Sequence, residues 1–288
     1  MAEVKQNPKK DKSILRLLLT SKFFWLVIIF LLIIGIVIKV AADMIEEARS
    51  TYSGLPDENG YPLSTITDEG FSLDENYFLV YEDDNYYSRH GIDVSEHQGY
   101  IDWDLVAEQG VEFAMIRLGY TGNDTGSKYL DACFEDNYKG AKKNGIDVGV
   151  YYFSQAISVE EAISEAQFVC ENLKGKKINM PVVFDMEPIH ENSKDRIANL
   201  TMKEITEITD AFCDIVEKHG YDALMYGNPS WIYKNLNLSL LTGRKLWLAH
   251  YVSYTQFPYE FVMWQYTDSG YISGIGTKVD LDIQFIKK

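Results

Sequence analysis

The sequence predicts an α/β fold, an irregular (β/α) barrel of about eight strands with fewer helices than strands, preceded by a transmembrane helix. From His90 onward, strand-like apolar runs alternate with helix-like segments, the pattern of a parallel sheet wrapped by helices. In the last third the strand-like runs continue while the connections become too short for full helices, which makes the barrel irregular. The third observation is an uncharged stretch of sixteen residues, Phe23 to Ile38, near the amino terminus. Single α/β barrels run to about 200–250 residues, so a chain of 288 has room for one barrel and an appendage.

Residues 1–42 hold seven Lys and Arg against Glu3 and Asp11, a net +5, so the formal charge of −16 for the whole chain leaves −21 on residues 43–288. An acidic body of that size excludes nucleic acid as its evident partner. With the Lys39 ammonium snorkelling, the apolar run reaches Ala42 and spans about 30 Å as a helix, enough to cross a lipid bilayer. Six of the seven basic residues precede it. The positive-inside rule therefore makes 1–22 a cytoplasmic basic tail, 23–42 a single-pass signal anchor in the cell membrane, and everything beyond it extracytoplasmic. Val40-Ala41-Ala42 resembles a small-residue cleavage site, so a cleaved signal peptide is the competing reading; the long apolar run and the adjacent lysine favour the anchor. Residues 43–89 contain Pro56, Gly60 and Pro62 and few periodic apolar positions, and read as an extracytoplasmic stalk before the barrel domain at 90–288. Residues 77–81 could form a strand leading into that domain.

Along the barrel, 91–94 is a short first strand and 103–109 a helix, and 111–118 is the second strand, followed by a loop through Gly122 and Gly126. Residues 129–144 read as a helix with Phe134, Tyr138 and Ala141 on one face, and 146–153 as the third strand. Ser158 with Glu161 gives a capping-box signal for a helix to about residue 173, stopped by Gly175. Residues 182–184, between Pro181 and Pro188, form the fourth strand. Thr201 with Glu204 repeats the capping signal, and Ile205, Ile208, Phe212, Ile215 and Val216 recur at helical spacing until Gly220. Four more strands follow at 223–226, 245–249, 261–265 and 279–285, with a short helix at 229–234. Cys133, Cys170 and Cys213 fall in three separate helical patterns and read as small buried hydrophobes, a Cys170–Cys213 bridge remaining open.

Functional groups of such folds gather at the carboxyl ends of the parallel strands. Asp185 and Glu187, at the end of the fourth strand, point the same way because strand side chains alternate, about 6.5 to 7 Å apart at the backbone. An acid pair at that range suits cleavage of a glycosidic bond, where one protonated carboxyl donates to the leaving oxygen and a second group handles the charge on the sugar carbon. Asp93 ends the first strand on the same rim. In the last strand Asp280, Asp282 and Gln284 share a face, and Asp280 reaches this rim only if that strand runs antiparallel to the rest. Arg117, in step with Phe113 and Met115 inside an apolar strand, needs a carboxylate, either a rim acid or a structural ion-pair partner. Tyr151, Phe153, Tyr226, Trp247, Trp264 and Tyr266 lie near strand ends as candidate platforms for sugar rings, alongside Tyr152 and Tyr251. The histidines show no paired ligand spacing, so no metal or cofactor is expected, and His97 and His250 read as surface or supporting residues.

The motifs Gly91-Ile-Asp-Val-Ser-Glu-His-Gln-Gly99, Ile101-Asp-Trp103, Phe113-Ala-Met-Ile-Arg117, Val182-Val-Phe-Asp-Met-Glu187, Trp264-Gln-Tyr266 and Val279-Asp-Leu281 together resemble the family-25 glycoside hydrolases, lysozymes of the Chalaropsis type, over roughly residues 90–288. The resemblance implies an irregular TIM-like barrel with an antiparallel last strand. It implies N-acetylmuramidase activity on bacterial peptidoglycan glycan strands, at the β-1,4 bond between N-acetylmuramic acid and N-acetylglucosamine. It makes Glu187 the general acid, Asp185 the second catalytic carboxylate, and Asp93 and Asp280 the other acids of the groove. A mechanism proposed for the family has the substrate's own acetamido group attack the anomeric carbon, Asp185 orienting it. Met186 stands where many relatives carry Trp. A membrane-tethered enzyme of this kind would remodel nearby wall or open a passage for a larger cell-envelope assembly; the alternative is a catalytically silent peptidoglycan-binding module.

Overall fold

The structure is a computed structural model that describes residues 60–189 and 194–288 and a few positions between 26 and 39. Those few positions, in residues 1–55, are helical and exposed. Most of the expected span at 23–42, all of the tail at 1–22 and the stalk from 43 to 59 lie outside the described residues. Among the described residues no helix is long and apolar enough to cross a membrane.

The strands are β1 (Phe71–Leu73), β2 (Leu79–Tyr81), β3 (Tyr86–Val94), β4 (Phe113–Thr121), β5 (Lys128–Leu130), β6 (Asp147–Phe153), β7 (Val182–Asp185), β8 (Ala223–Gly227), β9 (Lys245–Ala249), β10 (Met263–Gly270) and β11 (Val279–Lys287). The larger sheet runs β3-β11-β10-β9-β8-β7-β6-β4, and a further pairing of β3 with β4 closes it into an eight-stranded barrel. Seven of those strands are mutually parallel; β11 is antiparallel to both its neighbours, as the position of Asp280 required. The helices are α1 (Trp103–Glu108), α2 (Phe134–Lys143), α3 (Val159–Asn172), α4 (Met202–Lys218) and α5 (Pro229–Asn235). The connections after β9 and β10 carry no α-helix.

Local chemistry accounts for the helix ends. Thr201 and Glu204 form the reciprocal capping box of α4. At α3 only half of the expected box forms: Ser158 accepts from the Glu161 amide, while the Glu161 carboxylate accepts from Ile157 N and pairs with Arg196. All three cysteines are free, with Cys170 and Cys213 buried.

Two expectations are corrected. The helix expected at 129–144 begins only at Phe134, because 128–130 pairs as β5 with the end of β4, with Tyr129 O so close to Gly119 that a Cβ there would stand 2.2 Å from it. The stretch at 60–89, expected as stalk apart from a strand at 77–81, is packed structure, and that strand forms as β2. β1 and β2 form a hairpin, Tyr61, Phe78 and Tyr81 are buried, and the Phe78 ring stacks on His90 at 3.8 Å. Its buried aromatics escaped periodicity because they are singly spaced: Tyr61 packs on Tyr259, Phe78 on His90 and Tyr81 on Phe285.

Inside the barrel, alternation sends Phe113 and Met115 of β4, Val183 of β7, Leu224 of β8, Trp247 of β9 and Met263 of β10 into one apolar plug. One step further toward the strands' carboxyl ends, the same faces carry Arg117, Asp185, Tyr226 and Gln265. The plug thus supports a polar floor. Gly91 of β3 leaves the space that the Phe113 ring fills: a Cβ there would lie 2.3 Å from it.

Replacing Gly91 with Ala therefore overpacks the plug and is expected to cost about 1–3 kcal/mol. The urea midpoint should fall with an unchanged slope, and an unchanged midpoint would show that Phe113 has room to yield.

Candidate active site

The carboxyl ends of the barrel strands enclose a cleft of about 240 Å³ lined by Asp93, Arg117, Tyr151, Phe153, Asp185, Glu187, Tyr226, Trp247, Tyr251, Gln265 and Asp280. All four candidate acids meet there, although they come from β3, β11 and the end of β7. The register explains two of them: Asp280 on β11 is the direct partner of Asp93 on β3. Asp185 ends β7, and Glu187 lies two residues on, with the intervening Met186 buried on the other side. The loop after β6 holds that segment in place. Ser154 N donates to Asp185 O at 2.7 Å and Gln155 Nε2 donates to Glu187 O at 3.1 Å.

Burial governs the charge state of this site. It pushes Glu187 from 4.5 up to about 7, helped by the Asp280 charge. Asp185 is also raised, by burial first and then by the Glu187 charge, with Arg117 opposing. Burial and the charges of Asp280 and Asp282 raise Asp93, and burial with the Asp268 charge takes Asp280 to about 6. The Asp185 Oδ1 atom is buried without a hydrogen-bond donor. It is thus an acceptor left without a donor at the edge of the cleft that Asp185 lines.

Of the candidate binding residues, Arg117, Tyr151, Phe153, Tyr226 and Trp247 line the cleft. Trp264 and Tyr266 do not. Met263 and Gln265 face inward on β10, so the residues beside them face outward; Trp264 is fully buried, packs edge-on against Phe71 and donates from Nε1 to His250 O at 2.8 Å. Arg117 takes its carboxylates from outside the catalytic set, donating from Nε to Asp131 at 2.7 Å and from Nη2 to Glu96 at 2.9 Å. His97 stands 3.3 Å from the same guanidinium, and His250 bonds Thr255 at 2.9 Å.

Gln265 is the residue that sequence reasoning passed over. Its Nε2 donates to Asp93 Oδ2 at 2.6 Å, and its Oε1 accepts from Tyr226 at 2.9 Å and Tyr251 at 2.8 Å. The signal was the alternation itself, which puts an amide inside whenever Met263 is core. A larger cleft, about 550 Å³, lies between the 99–104 segment and α2, and none of the candidate catalytic or binding residues lines it. Among the described residues no group of acids, histidines and cysteines is arranged to hold a metal ion.

A family model described as glycosyl hydrolases family 25 matches residues 92–275. The autolytic lysozyme of Clostridium acetobutylicum is 31% identical over 193 residues, which are 67% of this chain and 54% of that protein. Lysozyme M1 of Streptomyces globisporus is 29% identical over 201 residues, 66% of this chain and 65% of that one. Among solved structures, the bacterial lysozyme from Streptomyces coelicolor superposes with a TM-score of 0.55 at 28% identity, covering 67% of this chain and 90% of its own. The modular autolysin LytC from Streptococcus pneumoniae, solved with a synthetic peptidoglycan ligand, shares the fold with a TM-score of 0.63 at 24% identity, covering 78% of this chain and 52% of that one. The chain thus spans about half the length of the clostridial and pneumococcal proteins.

The raised Glu187 value carries a stability consequence of defined sign. The folded chain holds this proton more tightly than the unfolded chain, so the contribution is complete below about pH 4.5 and is lost as pH rises to about 7. Relative to Glu187→Gln, the wild type should lose melting temperature across that window and run parallel above it. Parallel curves throughout would place the carboxyl in water.

Proposed function

Because the chain belongs to glycosyl hydrolase family 25, we propose that it is a peptidoglycan hydrolase, an N-acetylmuramidase that cuts the β-1,4 bond between N-acetylmuramic acid and N-acetylglucosamine. The observation that carries this reading is the pair at the end of β7: two carboxyls in one cleft, both raised, with Glu187 at about 7 and thus about half protonated in neutral water. A protonated carboxyl at a sugar-sized cleft is a general acid.

In this reading Glu187 gives its proton to the glycosidic oxygen as the bond to the anomeric carbon breaks. The acetamido oxygen of the substrate closes onto that carbon, and Asp185 Oδ1, the acceptor without a donor, takes the acetamido N–H and balances the positive charge on the ring so formed. Glu187, now ionised, removes a proton from the water that opens this ring, and the product keeps its configuration. That route departs from the usual pair of nucleophile and acid, since no ester to the protein forms. Asp93 and Asp280 line the opposite wall, and Tyr151, Phe153, Tyr226 and Trp247 supply faces for the sugar. Residues 23–42 would hold the enzyme in the cell membrane with its amino terminus in the cytoplasm and its barrel against the wall, where local cleavage could serve wall remodelling or a larger envelope assembly.

The test is release of reducing ends from purified peptidoglycan by the full chain in detergent. We expect turnover in the wild type and a loss of at least about a hundredfold in Glu187→Gln, the scale of a missing general acid. The rate should fall as pH rises through about 7, where the donor loses its proton. Tight retention of glycan with no new reducing ends would overturn the reading in favour of a silent binding module.

A further inference from the structure

The acids continue one layer below those used above. Asp282 is fully buried, lies two residues along β11 from Asp280 on the same face, and sits in register opposite Gly91 of β3 and Gln265 of β10. Its Oδ1 accepts from Trp247 Nε1 at 3.0 Å, while its Oδ2 is buried with no N–H or hydroxyl donor. Its carboxyl neighbour on the same face is Asp93, the direct partner of Asp280 on β3 and so diagonal to Asp282, and Asp93 Oδ2 is held by Gln265, the β10 residue paired with Asp282.

Two ionised carboxylates cannot share a hydrogen bond, and two buried charges without a counter-ion would each cost several kcal/mol. The groups around the pair offer no compensation. Asp280 on β11 and Asp185 and Glu187 at the end of β7 are acids, and Tyr151, Tyr226 and Tyr251 are phenols. Arg117, the cation of the cleft, is taken by Asp131 and Glu96, and His90 stacks on Phe78. A hydrogen between the two carboxyls satisfies both the orphan oxygen and the charge.

We propose that Asp282 is a positioning residue that shares a single proton with Asp93, so that the pair carries one negative charge and is pinned by Trp247 at one end and Gln265 at the other. Burial raises the proton affinity of both acids, and the Asp280 charge raises it further. Asp93 is thereby presented to the sugar in one orientation. The positioning role rests on the hydrolase reading, whereas the shared proton does not.

Infrared difference spectra test the proton without turnover. At about pH 9, where ordinary carboxyls are ionised, the wild type should show a protonated-carboxyl carbonyl band, sensitive to deuterium, that is missing from both Asp282→Asn and Asp93→Asn. A band unchanged in Asp282→Asn overturns the proposal. In kinetics, Asp282→Ala should lower kcat by about tenfold, with KM nearly unchanged, as expected when an interaction made in the transition state is lost. Asp282→Asn, whose amide can accept from Trp247 and donate to Asp93, should recover most of that loss. Equal losses in the two variants, at equal melting temperatures, would sink the positioning role. Should the wild type cleave no peptidoglycan while the band still vanishes in Asp282→Asn, the hydrolase reading and the positioning role fall and the shared proton stands. Cleavage with the band retained in Asp282→Asn leaves the hydrolase reading standing and overturns the shared proton and the positioning role with it.

Discussion

The reversed direction of β11 is the constraint on which the site depends. A parallel last strand would start at the base of the barrel and carry Asp280 there. Because β10 turns back through a short connection, β11 instead starts at the rim, and its inward residues descend in the order Asp280, Asp282, Gln284. The first of these lands beside Asp93 and the second over the apolar plug. The same strand completes the hydrogen-bonded ring between β10 and β3, so closure of the barrel and assembly of the acids are one event. A one-residue slip of β11 would turn all three polar side chains outward and put Leu281 and Ile283 into the cleft.

Crowding acids into a cavity whose cation is already engaged has a chemical result. With Arg117 bound to Asp131 and Glu96, the remaining carboxyls can lower their mutual repulsion only by keeping protons. The barrel walls deny them water, and the apolar plug below denies them alternative partners. A site of this construction favours retained protons as a matter of electrostatics, and Glu187 and Asp280, both half-buried, are the acids of the cleft that keep some contact with solvent. Asp93 and Asp282 are buried more deeply, where a retained proton cannot exchange readily with solvent and serves orientation instead.

Most of the barrel strands were legible as apolar runs bounded by turn or cap residues and buried on both faces, and β11 by its alternation of apolar and polar residues. The four acids were legible because period-two alternation fixes which residues of a strand look inward. Arg117 was harder: its position inside β4 was plain, but its partner Asp131 lies beyond a hairpin hidden within an apparent helical pattern. Tyr129 and Leu130 fit a helix face as well as a strand, and the choice is made by pairing with Gly119 and Tyr120, a contact that local periodicity does not encode.

The misplacement of Trp264 and Tyr266 and the misreading of residues 60–89 have a single physical cause. An aromatic pair on the outer face of a barrel strand invites assignment to a ligand when nothing is known to cover it. What covers it is the hairpin of β1 and β2: Phe71 meets Trp264 at 5.4 Å and Phe285 at 6.3 Å, and Tyr81 meets Phe285 at 5.3 Å. Once the hairpin is docked, Trp264 has a packing role and its indole N–H a backbone acceptor, and the inner position between the two aromatics falls to Gln265. Treating 60–89 as a stalk removed the cover and left the aromatics free for a sugar. The family model itself matches from residue 92, inside β3, so the hairpin that covers these aromatics is fixed by its packing on the barrel rather than by any matched motif.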